Sequence, residues 1–68
     1  MADRSYRLME IVGTSTEGVD DAIRNGIATV AAEVSNLNWF QVVEIRGHID
    51  AQQVAHTQVT LKVGYRSE

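Results

Sequence analysis

Runs of apolar residues separated by polar turns predict one helix and three strands. The first run, residues 6–12, is short and rich in strand-forming residues, and Gly13 follows it. We expect Gly13 to end this strand and residues 13–16 to form a turn. Ser15 or Thr16 is expected to cap a following helix, because a hydroxyl oxygen can accept a hydrogen bond from the free N–H groups of its first turn.

The helix has the clearest pattern in the chain. Its apolar residues recur at spacings of three and four, which places them on one face of an α-helix. Gly26 lies at the edge of this face, and a close approach of the helix to a sheet would explain it. Asn36 and Asn38 mark the end of the helical pattern. The apolar face comprises Val19, Ala22, Ile23, Ile27, Val30, Ala31 and Val34, and Leu37 extends it.

Two further segments predict a β-hairpin. Residues 39–49 and 54–65 are typical of strands, and residues 50–53 between them predict a short loop that makes the strands antiparallel neighbours. The order of elements along the chain is β-α-β-β, and adjacent placement of the first and third strands would complete a three-stranded sheet in an α+β fold. The predicted fold is a three-stranded antiparallel sheet wrapped around one helix, in a single domain that spans residues 1–68.

The alternation within the hairpin adds an expectation about its surfaces. An apolar row of the third strand should face the helix, whereas strict alternation in the second strand places large apolar side chains on both faces. One helix covers only one side of the sheet, so the second strand predicts a contact with another subunit or a ligand. The row of the third strand is Val59, Leu61, Val63 and Tyr65; the two faces of the second strand are Trp39, Val43, Ile45 and Ile49, and Phe40, Val42, Glu44, Arg46 and His48.

Length and composition also favour an oligomer. A domain of about 60 residues buries only about 60% of its unfolded surface, so its core is marginal. The 68 residues include no cysteine, which excludes disulfides and thiolate metal sites. His48 and His56 lack the companion ligands of a structural zinc site, so no metal is expected. Oligomerisation is the remaining way to stabilise so small a fold.

The charge distribution argues against several classes of protein. The net charge is −3 without a basic run, which disfavours binding to a nucleic-acid backbone. No apolar run approaches the roughly 20 residues of a membrane helix, and residues 1–5 do not resemble a signal peptide. We therefore expect a cytoplasmic protein that binds neither nucleic acid nor membrane.

The sequence also lacks the common catalytic motifs, including a cysteine nucleophile, HExxH, GxSxG and a phosphate-binding loop. His56 lies beside Gln58 on one strand face, but a histidine and a glutamine do not form an acid–base pair. Both His48 and His56 are interpreted as polar surface or interface residues. The expectation is a binding protein and not an enzyme.

Four residues are candidates for binding a planar, phosphorylated ligand. Trp39, the only tryptophan, is either a stacking platform or a packing anchor, and composition alone favours the anchor. Gln58 could pair with the edge of a heteroaromatic ring or be a solvated strand residue. Arg46 and Arg66 could bind a phosphate or form salt bridges between subunits, and the residues alone leave both open.

Three segments resemble the dodecin family. Residues 6–15 resemble its opening strand and Gly-Thr-Ser turn, residues 37–42 with 45–47 its tryptophan-containing second strand, and residues 58–65 its closing strand. Each motif alone is weak, but together they cover almost the whole chain in the family's order of elements. Tyr65 stands where phenylalanine is common in the family.

The resemblance implies an assembly and a ligand. Dodecins form hollow homododecamers with the helices outside, and they bind flavins in pairs near two-fold axes, between tryptophans of two subunits. By this resemblance Trp39 stacks on the isoalloxazine ring and Gln58 hydrogen-bonds to its pyrimidine edge. Arg46 and Arg66 are the candidates for contact with the phosphate of FMN, with riboflavin and FAD as alternative flavins. Coenzyme A is a further ligand of some bacterial relatives.

The implied function is storage and sequestration of flavin, in which stacking against Trp39 quenches fluorescence and photochemistry. Two other functions stay open. One is an oligomeric scaffold that binds coenzyme A or a protein partner through the Trp39 face. The other is an enzyme that uses bound flavin as a redox centre, which an aromatic sandwich disfavours because it leaves a substrate little access to the ring.

Overall fold

Four elements follow one another along the chain in the computed structural model, which describes residues 3–67. They are β1 (Tyr6–Ser15), α1 (Val19–Ala31), β2 (Leu37–Asp50) and β3 (Gln53–Arg66). The strands form one antiparallel sheet in the order β1-β3-β2, and α1 packs against β1 and β3. The predicted α+β fold, with one helix on a three-stranded antiparallel sheet, is confirmed.

Gly13 does not end the first strand, contrary to expectation, and β1 continues to Ser15. The glycine instead lets the strand backbone approach α1. A Cβ atom at Gly13 would contact the carbonyl oxygen of Ala22 and lie 2.9 Å from the amide nitrogen of Gly26. Gly26 is itself buried, and a Cβ atom there would lie 3.0 Å from the side chain of Leu61. The close approach expected for Gly26 therefore depends on both glycines.

The start of the helix also differs from the prediction. Gly18 is the N-cap residue, with φ 141°, and no side chain in the described part of the chain caps the helix, so the caps predicted at Ser15 or Thr16 are wrong. Ser15 is buried at the end of β1, where its hydroxyl donates to Asp21 (2.6 Å) and accepts from the backbone N–H of Glu17 (2.8 Å). The bond to Asp21 links β1 to the beginning of α1, and the bond from Glu17 fixes the connection between them.

The helix ends earlier than its apolar pattern suggests. α1 stops at Ala31, and Val34 lies in the connection that follows it. Asn36 has a positive φ of 65°, which redirects the chain into β2. Leu37, predicted to extend the apolar face of the helix, is the first residue of β2.

The core lies between α1 and the middle of β3. Val59, Leu61 and Val63 of β3 are buried together with Ala22 and Val30 of α1. The prediction that this row of the third strand faces the helix is confirmed for these three residues. Partly buried side chains surround the core: Met9, Ile11, Ile23, Ile27, Val34 and Leu37.

β2 lies outside this core. Every residue of β2 except Leu37 is exposed, although the strand pairs with β3 from end to end. Phe40 is 49% exposed and Ile45 54%. Large apolar side chains in such a continuous exposed strand indicate an interface with something outside the chain.

Two register shifts, between Leu37 and Trp39 and between Val42 and Glu44, decide which side chains of β2 share a face. Residues paired directly across an antiparallel sheet point to the same side, and β2 has an extra residue at each shift, Asn38 and Val43. The side of β2 that faces α1 therefore carries Leu37, Phe40, Val42 and Ile45, which pair with Tyr65, Val63, Leu61 and Val59.

The prediction of which β2 side chains share a face, which assumed strict alternation, is therefore wrong. It placed Ile45 with Trp39 and Arg46 with Phe40, whereas the pairing separates both couples. The prediction failed because one extra residue reverses the parity of every residue beyond it. The conclusion that β2 has apolar side chains without cover inside the chain is unaffected.

The hairpin turn is tighter than the predicted four-residue loop. β2 and β3 pair up to Asp50 and Gln53, so Ala51 and Gln52 form a two-residue loop. Both residues have positive φ angles, 53° and 65°, as a type I′ turn requires, although asparagine and glycine are the usual residues there. The predicted antiparallel hairpin is confirmed.

Candidate functional site

The four predicted binding residues lie on the same side of the sheet, facing away from α1, which we call the outer face. In β3, outer-face residues alternate with the buried residues that face the helix. Each outer-face residue of β2 pairs directly with one of them. The outer face therefore comprises Trp39, Gln41, Glu44, Arg46 and His48 of β2, and His56, Gln58, Thr60, Lys62, Gly64 and Arg66 of β3.

Trp39 lies against the backbone of Gly64, its cross-strand partner. A Cβ atom at Gly64 would overlap with the indole and lie 2.7 Å from its Nε1 atom, so only glycine leaves room for the ring. Trp39 nevertheless remains 42% exposed. The indole therefore rests on the sheet while part of the residue stays open to contact from outside the chain.

Gly64 is a site residue that the sequence reasoning did not single out. Glycine weakens a strand, and in a strand interior it often marks a position where another group approaches the backbone closely. Gly64 interrupts a row of larger outer-face side chains on β3, and that interruption was the available signal. Its partner could be recognised only once the register placed Trp39 opposite it.

Arg46 and Gln58 form the second part of the candidate site. They are direct cross-strand partners, so their side chains lie beside each other. Gln58 is half-buried in the central strand, where Thr14 of β1 pairs with it on the other side. Within residues 3–67 no hydrogen bond joins the side-chain amide of Gln58 to another group, so the NH2 donor and the carbonyl acceptor of this side chain are both available to a ligand.

Arg66 lies near Trp39, at the other end of the outer face. It follows Gly64 by two positions in β3. Its backbone N–H donates to the carbonyl oxygen of Asn36 (3.2 Å), which joins the end of β3 to the connection before β2. The Arg66 side chain is half-buried at this end of the sheet.

The candidate residues therefore form two groups that do not meet within one chain. The indole group is Trp39, Gly64 and Arg66, and the amide group is Arg46 and Gln58. Gly64 and Gln58 are six positions apart in β3, so at about 3.3 Å per residue the two groups are roughly 20 Å apart. A single flavin ring is too short to contact both Trp39 and Gln58 of the same chain.

A groove of about 520 Å³ opens on the helix side of the sheet, next to the start of β2. It exists because α1 packs on β1 and β3 and leaves β2 exposed. Asp20 and Arg24, which form an exposed ion pair (3.1 Å), lie along it. Trp39 also borders this groove, in addition to its contact with Gly64 on the outer face. The apolar lining comprises Ile23, Ile27, Leu37, Trp39, Phe40 and Val63.

The histidines form a pair on the outer face. His48 and His56 are direct cross-strand partners, next to Arg46 and Gln58 on the side of the hairpin turn. Within residues 3–67 no group of three or more histidine, aspartate, glutamate or cysteine side chains could hold a metal ion. In the same range, no helix is long and apolar enough to cross a membrane.

Comparison with known proteins shows similarity along nearly the entire chain. A model of the dodecin family matches residues 5–68. The dodecin of Thermus thermophilus is 44% identical over 63 residues, which are 93% of this chain and 91% of that protein. Among solved structures, a dodecin from Streptomyces davaonensis is 54% identical, with a TM-score of 0.93 and 98% of both chains covered. A dodecin from Streptomyces coelicolor is 47% identical, with a TM-score of 0.94, 100% of this chain and 97% of that one covered.

Proposed function

The chain belongs to the dodecin family, and we propose on this basis that it stores and sequesters flavin in a homo-oligomer without catalysing a reaction. Flavin binding by a dodecamer is the general function of the family. The observation that carries the proposal for this chain is the Trp39 indole, which rests on Gly64 and is open to stacking. The whole of residues 1–68 acts as one domain in this proposal.

Each flavin pocket is built by two chains in the proposed assembly, because the indole and amide groups are too far apart within one. A two-fold axis sets the same surface of two chains face to face, so that residue i of one meets residue j of the other, and the reverse. Trp39 of one chain can then lie near Gln58 of a second chain. One tryptophan per chain is sufficient, since the axis supplies the second indole of the sandwich.

The exposed side of β2 supports the oligomer. Phe40 and Ile45 face the side of α1 but are not covered by it, and the groove beside them has mainly apolar walls. An apolar edge strand of this length promotes aggregation unless another chain covers it in a defined assembly. A closed assembly such as a dodecamer buries this surface in every chain and leaves none unpaired.

Solved structures of the Thermus thermophilus dodecin include three single-residue variants, in which a tryptophan is replaced by phenylalanine and two different arginines by alanine. The altered positions carry numbers one lower than those of Trp39, Arg46 and Arg66 here. The same residue types at a constant offset support the choice of these three residues for testing.

Each residue has a separate role in the proposed site. Trp39 stacks on the isoalloxazine ring, and its electron-rich indole quenches the excited flavin. The Gln58 amide provides a donor and an acceptor for the polar edge of the ring. Arg46 and Arg66 bind the phosphate, which makes FMN the preferred flavin over riboflavin. Because both sides of the ring are covered, the site protects flavin and gives a substrate no access to it.

The stacking role is tested by titrating FMN with the purified oligomer and following flavin fluorescence. We expect strong quenching that is recovered on denaturation. Trp39→Ala should weaken FMN binding at least about ten-fold, or about 1.4 kcal/mol, with the oligomer intact by size-exclusion chromatography. Tyr65→Phe is the matched control and should change neither property. If excess protein leaves FMN emission unchanged, flavin is the wrong ligand, and coenzyme A or a protein partner becomes the better proposal.

The phosphate role is tested by comparing FMN with riboflavin, which lacks the phosphate. A lost hydrogen bond to a charged group costs about 1.5–3 kcal/mol, so Arg46→Gln or Arg66→Gln should weaken FMN binding by roughly 10- to 150-fold. Riboflavin should bind the variants and the unaltered protein equally. Equal losses for both flavins would instead assign that arginine to the subunit interface.

A further inference from the structure

The cross-strand pair His48 and His56 has no part in the flavin site proposed above. Their rings are stacked, with centroids 5.4 Å apart and planes inclined by 22°. Each is the direct partner of the other across β2 and β3, so both imidazoles project from the same face. Pairing along both strands holds their backbones in place.

Neither imidazole has a competing partner in the described part of the chain. No hydrogen bond or ion pair joins His48 or His56 to another side chain within residues 3–67. Within the single chain His48 is exposed and His56 half-buried, so no other part of residues 3–67 blocks the pair from a solvated ion. Imidazole nitrogens are preferred ligands of divalent zinc, copper and nickel.

The geometry points to a two-histidine chelating site, and we propose that His48 and His56 together bind one divalent transition-metal ion per chain. Metal–nitrogen bonds of about 2.0–2.1 Å place the centres of two imidazoles on one tetrahedral ion about 5 Å apart. The observed separation of 5.4 Å is close to this value, but the rings are stacked, so both side chains must turn about their χ1 and χ2 bonds to aim a nitrogen at one ion. The sheet fixes the backbones of both histidines next to each other, which lowers the entropy cost of bringing two ligands to one ion.

The proposed site differs from a structural zinc site. Because no cluster of three or more ligands exists within residues 3–67, water fills the remaining coordination positions and the ion exchanges freely. Arg46 is the nearest outer-face charge on one side, two positions from His48, and Asp50 is two positions away toward the turn. The pair itself supplies nitrogen and no oxygen ligands, so magnesium and calcium are disfavoured.

Because the chain has only two histidines and no cysteine, binding of a transition-metal ion can be assigned to this pair by substitution. Zinc or nickel chloride is titrated into the intact oligomer by isothermal calorimetry near pH 7.5, with magnesium chloride as the control ion. We expect one zinc or nickel ion per chain and no magnesium binding. His48→Gln and His56→Gln should each weaken binding at least about ten-fold, since a chelate needs both rings. Lys62→Gln, on the same face but outside the pair, is the matched control and should bind as before.

A second measurement keeps the proposal testable if a histidine variant fails to assemble. The nitrogen hyperfine pattern of Cu²⁺ bound to the unaltered protein, recorded by electron paramagnetic resonance, counts the coordinated imidazoles. Two nitrogens from one chain support the chelate. A single coordinated nitrogen, unchanged affinity in both variants, or one ion shared by several chains would each overturn it. None of these outcomes depends on whether the protein binds flavin.

Discussion

β2 and β3 are equally long and pair with each other, yet only β3 is enclosed by its own chain. β3 lies between two strands and under α1, and its row Val59, Leu61 and Val63 is buried. β2 has a neighbour on one edge only and is exposed from its second residue to its last. Because the two strands are similarly apolar, the difference indicates that β2 is an interface with something outside the chain.

The largest effect is expected from placing a charge on β2. Ile45→Asp should be tolerated by an isolated chain, since the side chain is 54% exposed there. In the oligomer it would bury an unpaired carboxylate, which costs several kcal/mol per chain, so we expect the assembly to dissociate. Size-exclusion chromatography with light scattering measures the change.

Ala28→Glu, at an exposed position of α1, is the matched control and should leave the assembly intact. An Ile45→Asp protein of unchanged size would show that the side of β2 facing α1 is open to solvent in the assembly.

The corresponding change in β3 tests the enclosed strand. Leu61→Ala removes the largest fully buried side chain and should lower the free energy of unfolding by about 2–5 kcal/mol. Urea denaturation at a fixed protein concentration measures it, with Ala28→Glu again as the control. A loss below about 1 kcal/mol would mean that β3 is not the centre of the core.

An intermediate effect is expected at the contact between the two strands. Gly64→Ala introduces a methyl group into the space occupied by the Trp39 indole. The displaced ring should lower FMN affinity at least about ten-fold, or about 1.4 kcal/mol. Fluorescence titration measures this, and Thr60→Ala on the same strand and face is the control. Unchanged affinity would show that the position of the indole on Gly64 is unimportant for binding.

The smallest effect is expected at the turn that joins the strands. Gln52 has a φ of 65°, which costs a non-glycine residue about 1–2 kcal/mol. Glycine removes this cost, but its greater flexibility in the unfolded chain offsets part of the stability gained. Gln52→Gly should therefore stabilise the protein by up to about 1 kcal/mol in urea denaturation. Gln53→Gly, in the adjoining strand, should destabilise it. The opposite order would show that the turn is not strained.

Most of the fold was predictable from local pattern. The spacing of apolar residues in α1, the hairpin and the buried row of β3 all depend on neighbours within a few positions, and the structure confirms them. The faces of β2 were not predictable, because Val43 looks like any other strand residue until its pairing with β3 is known. One inserted residue then exchanged the sides of the residues beyond it.

The candidate site divides in the same way. Trp39, Arg46, Gln58 and Arg66 could be named from residue type and family resemblance, and they do share the outer face. Their separation into an indole group and an amide group was not visible in the sequence. The role of Gly64 was also missed, since a glycine reveals its function only through the side chain that occupies the space beside it.

The number, order and type of elements follow from the sequence alone, and the expectation of a partner and of the candidate ligand residues also rests on it. These depend on periodicity, length and composition, which are local or summed properties of the chain. The packing of the chain was needed to show that Gly13 is a close-contact position and not a strand end, and that Trp39 lies on Gly64. Only the structure also showed that His48 faces His56. Such contacts join segments that are distant in sequence, so they follow from register and packing, which no local pattern contains.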